Sequence, residues 1–259
     1  MFITEEIKTQ FNKNGCYTLN NVLTQSKVSL LRNKVLEFAS HETDLGESYL
    51  YTFNGDNKTQ RVWNLANKGK CFRSLLEIHI IDQFMNFIFD RETIHQKYFL
   101  SSFQASIVYP GAQQQKLHID TPFPEPLPPW PIKANTIWLL DDFTESNGAT
   151  EYLPASHKLA FKPTSEDHKS CKLIKAIGKS GSVFVTHGNL WHRAGANQSA
   201  KPRIALLCSF AASYAREIAS EEDHSKIISE EIISGSSEHL KKILGIGHGI
   251  KNGAFVEHE

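Results

Sequence analysis

The sequence predicts an α+β, mainly β fold: a β-sandwich or barrel with helices packed against its outside. Three observations point there. Residues 1–97 carry apolar side chains at helical spacing. Residues 98–213 break into short runs of β-branched and aromatic residues separated by Gly, Pro, Asn and Asp. The tail, 214–259, is charged and helical again. At 259 residues the chain fits one large domain or two small ones, and the absence of a repeat or linker favours one, 1–259. With 40% hydrophobic and 10% aromatic residues it can build a sizeable core and is no disordered chain.

The elements follow in order. Thr4 to Asn14 reads as a helix closed by Gly15. Thr24 caps a second helix that runs to about Ser40, with Val28, Leu31, Val35 and Phe38 on one face. Ser74 to Phe89 is a third helix. Strands are expected at 98–109, 115–120, 135–141, 149–153, 171–177, 181–187 and 203–213. Residues 122–131, P-F-P-E-P-L-P-P-W-P, hold six of the ten prolines and form a stiff extended loop, placed to wall a pocket. Helices return at Glu221–Ile233 and Glu238–Leu244, before a glycine-rich end.

Composition also excludes. Lys plus Arg and Asp plus Glu are both 28, so the net charge is zero and no basic stripe supports nucleic-acid binding. The longest apolar stretch, Ile204 to Ala212, is far shorter than the roughly 20 residues of a membrane-spanning helix. Acidic residues at positions 5 and 6 sit where a secretory signal places Lys or Arg, so a cytoplasmic protein is expected. Cys16, Cys71, Cys171 and Cys208 form no C-x-x-C pair and read as free thiols.

Chemistry concentrates in three places. His118-Ile119-Asp120 presents an imidazole and a carboxylate at i and i+2, the same face of a strand. A second imidazole comes from His187 or His192, on either side of the turn in V-T-H-G-N-L-W-H. Two His and one carboxylate on one face of a metal leave coordination positions open, which suits non-haem Fe(II); a structural zinc site needs no such vacancy. Arg203 then opens a strand whose same-face partners are Ala205, Leu207 and Ser209. A cation there is costly to bury unpaired and matches a carboxylate in a bidentate way.

The order H-x-D, then N-G-A-T-E-Y-L-P-A-S-H-K, then L-W-H-R-A-G-A-N-Q-S, then Arg resembles the phytanoyl-CoA dioxygenase family of Fe(II)/2-oxoglutarate oxygenases. The resemblance runs from about Gln104 to Phe210. It implies a double-stranded β-helix (jelly-roll, cupin-like) core, with Fe(II), 2-oxoglutarate and O2 as cofactor and co-substrates. It assigns His118, Asp120 and His192 to iron and Arg203 to the far carboxylate of 2-oxoglutarate. Gln115 and Thr150 match further contacts to that ligand. One departure stands out: the usual P-G-S-H-K has Ala155 in place of glycine. Asp120 itself argues for oxygen chemistry, since members that halogenate lack this carboxylate.

The activity so implied is oxidation, by default hydroxylation, of an unactivated C–H bond in a small-molecule substrate, with release of succinate and CO2. Candidate pocket walls are Tyr51, Arg61, Trp63, Phe103, Phe123, Trp130, Trp138, His187 and Trp191. Two rival classes stand beside it. One is a cupin-type metalloenzyme that does not use 2-oxoglutarate and so has no need of Arg203; the other is a non-catalytic small-molecule binding protein on the same fold.

Overall fold

A computed structural model describes residues 2–44, 49–51, 57–90, 97–222, 224–247, 250–251 and 254–255. The chain runs α1 (Glu5–Asn14), β1 (Cys16–Leu19), α2 (Gln25–Asp44), β2 (Tyr49–Tyr51), β3 (Thr59–Val62), α3 (Lys70–Leu76), α4 (His79–Ile88), β4 (Tyr98–Val108) and β5 (Lys133–Leu139). It continues through β6 (Thr150–Tyr152), α5 (Asp167–Ser170), β7 (Ile174–Lys175), β8 (Val183–His187), β9 (His192–Ala194) and β10 (Arg203–Ala212). Four short helices follow: α6 (Arg216–Ala219), α7 (His224–Ile227), α8 (Glu230–Ser234) and α9 (Glu238–Ile243).

The strands form a seven-stranded sheet, β1-β8-β5-β10-β4-β3-β2, and a three-stranded sheet, β7-β6-β9. Every pairing in both is antiparallel. The two face each other across one cavity, so the core is the expected jelly roll.

Strand parity explains the two faces of the large sheet. In β10, Ile204, Leu206, Cys208 and Phe210 point outward into the main core, while Arg203, Ala205, Leu207 and Ser209 point inward. Helix residues Leu31, Val35, Phe72, Leu75 and Phe84 pack against the outward set. A smaller inner cluster, including Ile137, Leu139, Phe143, Phe184 and Ala205, closes one end between the sheets.

Local signals hold at the first two helices. Thr4 accepts from the Ile7 N–H at 3.3 Å, and Gly15 ends α1 at φ 79°. Thr24 accepts from the Lys27 N–H at 3.3 Å at the start of α2. Other expectations need correction. The single helix at 74–89 is two, α3 and α4, because a straight helix would spread Leu75, Leu76, Ile80, Ile81 and Phe84 over most of its circumference. The turn at Glu77–Ile78 lets all of them face the core. The first third is not only helical: β1, β2 and β3 join the large sheet. Segment 115–120 is extended but carries only a bridge at His118, since the Leu117 N–H goes to His168 Nδ1 at 2.8 Å instead of to a strand. At 171–177 only Ile174–Lys175 pairs. The tail helix at 221–233 is α7 and α8, separated by the Ser229 cap.

Among the described residues all four cysteines are unpaired, and no helix is long and apolar enough to cross a membrane.

Candidate metal centre

His118 and His192 are brought together by backbone. Each N–H donates to the other residue's carbonyl at 3.0 Å, and the rings lie 4.5 Å apart. Asp120 is tied two residues on, its N–H donating to Gly188 O at 2.9 Å. Gly188 has to be glycine, because a Cβ there would come within 2.6 Å of Lys133 O. His192 Nε2 then stands 3.3 Å from one Asp120 oxygen and His118 Nε2 stands 3.8 Å from the other. One donor atom from each of the three residues falls within 4.8 Å of the others.

Each ring is oriented by the backbone two residues before it. His118 Nδ1 meets Lys116 O at 2.8 Å, and His192 Nδ1 meets Leu190 O at 2.9 Å. A carbonyl only accepts, so Nδ1 carries the proton and Nε2 offers its lone pair to the centre. Burial, then the neighbouring His192, holds His118 below the ordinary imidazole range, which keeps it neutral and ready to ligate. Burial alone would raise the Asp120 carboxyl, but His192, His118, Lys133 and an Asn135 hydrogen bond outweigh it and keep the group ionised. Asn135 Nδ2 donates to Asp120 Oδ2 at 2.7 Å.

The cavity, about 150 Å³, continues from the triad to Arg203. This guanidinium is 3% exposed and lies 4.5 Å over the Phe143 ring. It donates to Gly148 O at 2.6 Å, while its Nε is buried with no partner. Burial, then the charge of Arg61, pulls its pKa down to about 9, so it stays a cation at neutral pH but a costly one. Gln115 pins β9, its Oε1 accepting from the Ala194 N–H at 2.8 Å. Thr150, Gln115 and Arg61 line the same cavity.

Of the expected site residues, then, His118, Asp120, His192, Arg203, Gln115, Thr150 and Arg61 meet. The others do not line this cavity. Phe103 and Trp138 fall on the outward parity of β4 and β5 and are wholly buried in the core. Trp191 is buried, with Nε1 donating to Phe161 O at 3.2 Å. Trp63 is half-buried and Phe123 packs partly buried on the core. Trp130 is exposed on the proline-rich loop. The His187 ring lies tilted 5.2 Å from that of His157 and, with that loop, lines a second hollow beside α1 and α4. Proline at 128, 129 and 131 stiffens this hollow, not the metal cavity. The side chain of Tyr51 lies outside the described residues.

A family model for phytanoyl-CoA dioxygenase (PhyH) matches residues 11–205. The chain belongs to the phytanoyl-CoA dioxygenase family. Among curated relatives, the dioxygenase af480 of Aspergillus fumigatus is 31% identical over 151 residues, covering 58% of this chain and 48% of that protein. Dioxygenase FUM3 of Gibberella moniliformis is 28% identical over 246 residues, covering 87% of this chain and 76% of that one. The chain therefore spans about half of the first relative and three quarters of the second. The solved epimerase SnoN, in complex with Fe3+, alpha ketoglutarate and nogalamycin RO, shares the fold with TM-score 0.67 at 16% identity. It covers 80% of this chain and 82% of its own.

Within this phytanoyl-CoA dioxygenase family member, Ala155 keeps the turn that glycine usually makes. Its φ is 64°, in the left-handed region. Sequence reasoning missed the polar inner wall: Ser102, Gln104, Ser106, Asn135 and Glu221 all line the cavity. A signal existed, since polar residues alternate with apolar ones through S-F-Q-A-S-I in β4. No pattern announced Glu221, which arrives from the tail.

Proposed function

We propose that this chain is an Fe(II)/2-oxoglutarate-dependent oxygenase that hydroxylates an unactivated C–H bond of a small-molecule substrate. One observation carries the reading: Arg203, a buried cation with an unpartnered Nε, ends the cavity that begins at a two-His, one-carboxylate set. The donor set fits Fe(II), since two neutral imidazoles and one carboxylate leave a face open. The cation fits the carboxylate of a ligand that also reaches the metal.

In this reading His118, Asp120 and His192 hold the metal. Arg203 grips the distal carboxylate of 2-oxoglutarate, Thr150 and Gln115 add contacts, and Arg61 strengthens the positive field at that end. When bound, the iron and its 2-oxo acid supply oxidising power from O2, with succinate and CO2 released and one oxygen atom delivered to the substrate. The chain's residues bind and orient. The Nδ1 anchors fix the rings, Asn135 fixes the carboxylate, and the apolar inner cluster keeps water from the Arg203 end.

Anaerobic titration of 2-oxoglutarate into the Fe(II)-loaded chain tests this. A weak visible chelate band is expected, followed on O2 admission by succinate formation that disappears in His118→Ala and Asp120→Ala. Iron binding without the band would favour a cupin-type enzyme that takes no 2-oxoglutarate. No iron binding would favour a binding protein. A substrate gaining one oxygen in mass supports hydroxylation; an isomerised product of unchanged mass, the change the word epimerase describes for SnoN, would replace it.

A further inference from the structure

We propose that the end of the cavity remote from Arg203 binds substrate hydrogen-bond donors, hydroxyl or ammonium groups, and that Glu221 with Ser209 and Gln104 selects them. The inference rests on the reading that the Arg203 end takes 2-oxoglutarate. The inner face of β10 separates the two ends: Arg203 and Ser209 stand six residues apart, about 20 Å along a strand.

Glu221 is carried there by a bulge. Ser209 pairs with Ser102 and Phe210 with Leu100, so Ser101 is the extra residue of β4. Freed from the ladder, Ser101 grips the tail. Its carbonyl accepts from the N–H groups of Glu221 and Glu222 at 3.2 and 2.8 Å, and its hydroxyl donates to Ala219 O at 2.6 Å. Glu222 adds a second tie, accepting from the Phe103 N–H at 2.8 Å. Glu221 is thereby held over the cavity, where it accepts from Ser102 Oγ at 2.8 Å and from Lys133 Nζ.

Lys133 is 2% exposed and pairs with Glu221. It is absent from the cavity lining, whereas Glu221 is part of it and 38% exposed. An ionised carboxylate offers about four acceptor positions, so two remain. Beside it, Gln104 Oε1 and Ser209 Oγ are buried without partners. Gln104 and Ser209 are 8% and 7% exposed and line the cavity. The wall is rich in acceptors and poor in free cations. It lies one rung from the metal centre, because Ser209 pairs with Asn135, the residue that holds Asp120. A ligand bound here sits beside the metal, and the carboxylate turns anions back toward Arg203.

Saturation-transfer NMR on the full chain loaded with Zn(II) and 2-oxoglutarate tests the proposal with three probes of one shape: glucosamine, glucose and glucuronate. Glucosamine and glucose are expected to bind at millimolar concentration, with glucuronate weaker by about tenfold or more. Glucosamine, whose ammonium can pair with the carboxylate, should bind more tightly than glucose, and Glu221→Gln should abolish that preference with 2-oxoglutarate affinity unchanged. Should that variant fail to fold with Lys133 unpaired, the double variant Glu221→Gln with Lys133→Met removes both charges and should give the same loss. Ser209→Ala should weaken both glucosamine and glucose. Glucuronate binding as well as glucosamine, silence from all three probes, or a preference that survives loss of Glu221 would each overturn it. The two readings separate cleanly: probe discrimination without 2-oxoglutarate binding sinks the oxygenase, and the converse sinks this subsite.

Discussion

Asn135→Ala removes one hydrogen bond from the metal centre and little else. The amide is 9% exposed, and its firm contact is the 2.7 Å donation to Asp120 Oδ2; a weaker one reaches Thr186 Oγ1 at 3.4 Å. A hydrogen bond to a charged acceptor contributes about 1.5–3 kcal/mol, more than a neutral one. Without it, Asp120 stays ionised beside Lys133 but loses the contact that fixes the plane of its carboxylate. Loss of such an outer partner typically lowers metal affinity by about 10–100-fold, or about 1.4–2.8 kcal/mol, which agrees with the first figure. Competition of the chain with a chromophoric chelator for Fe(II), under anaerobic conditions, measures it directly. Ser209→Ala, one rung away, is the control and should leave metal affinity within about twofold. An Asn135→Ala variant that binds metal like the parent would refute the argument that this amide orients the ligand.

Three further outcomes are expected. Arg203→Met should keep iron but raise the 2-oxoglutarate requirement by about 100-fold, near 3 kcal/mol for a buried charge pair, read by titrating the chelate band; loss of iron instead would make the arginine structural. Burial pushes His187 down to about 3 from 6.5, so the unfolded chain takes up a proton that the folded one refuses, and stability falls as pH drops through that window. Burial raises Glu222 from 4.5 to about 7, which acts in the opposite sense between those values. The His187 effect therefore shows as a difference: by urea unfolding, His187→Gln should lose about 2 kcal/mol less than the parent between pH 7 and pH 5, and equal slopes would refute it. Ala155→Gly should raise stability by about 0.5–1 kcal/mol, the relief of left-handed strain less the entropy glycine adds to the unfolded chain. A lower midpoint in urea would show that Ala155 packs more than it strains.

The His118, Asp120 and His192 cluster was legible in part: the residues pointed to H-x-D and to a second imidazole at 187 or 192, and the resemblance, not the residues, chose His192. The alternation of β10 was equally readable, since its outward residues are all apolar. Phe103 and Trp138 show the limit. An aromatic residue in a strand belongs to one face or the other, and only the register of β4 and β5 against β10 decides which. Short polar β3 escaped notice for a related reason: of its two core-facing residues only Val62 is apolar, because Gln60 is buried by a hydrogen bond to Ala39 O, while Arg61 faces the cavity. Glu221 was illegible because a charged residue in a charged tail looks solvated until the partner it covers, Lys133, is known to be buried.

The extra residue in β4 has a consequence for how the gene could tolerate change. Ordinarily, cutting one residue from a central strand turns everything beyond it inside out. Here the opposite holds. With Ser101 gone, Leu100 would follow Ser102 in the pairing it already has opposite Phe210, and Tyr98 would keep its place opposite Ala212. The barrel would lose nothing of its inside-and-outside order, while the tail would lose its fastening. The chain carries a spare residue whose only visible work is to moor a segment more than a hundred positions away.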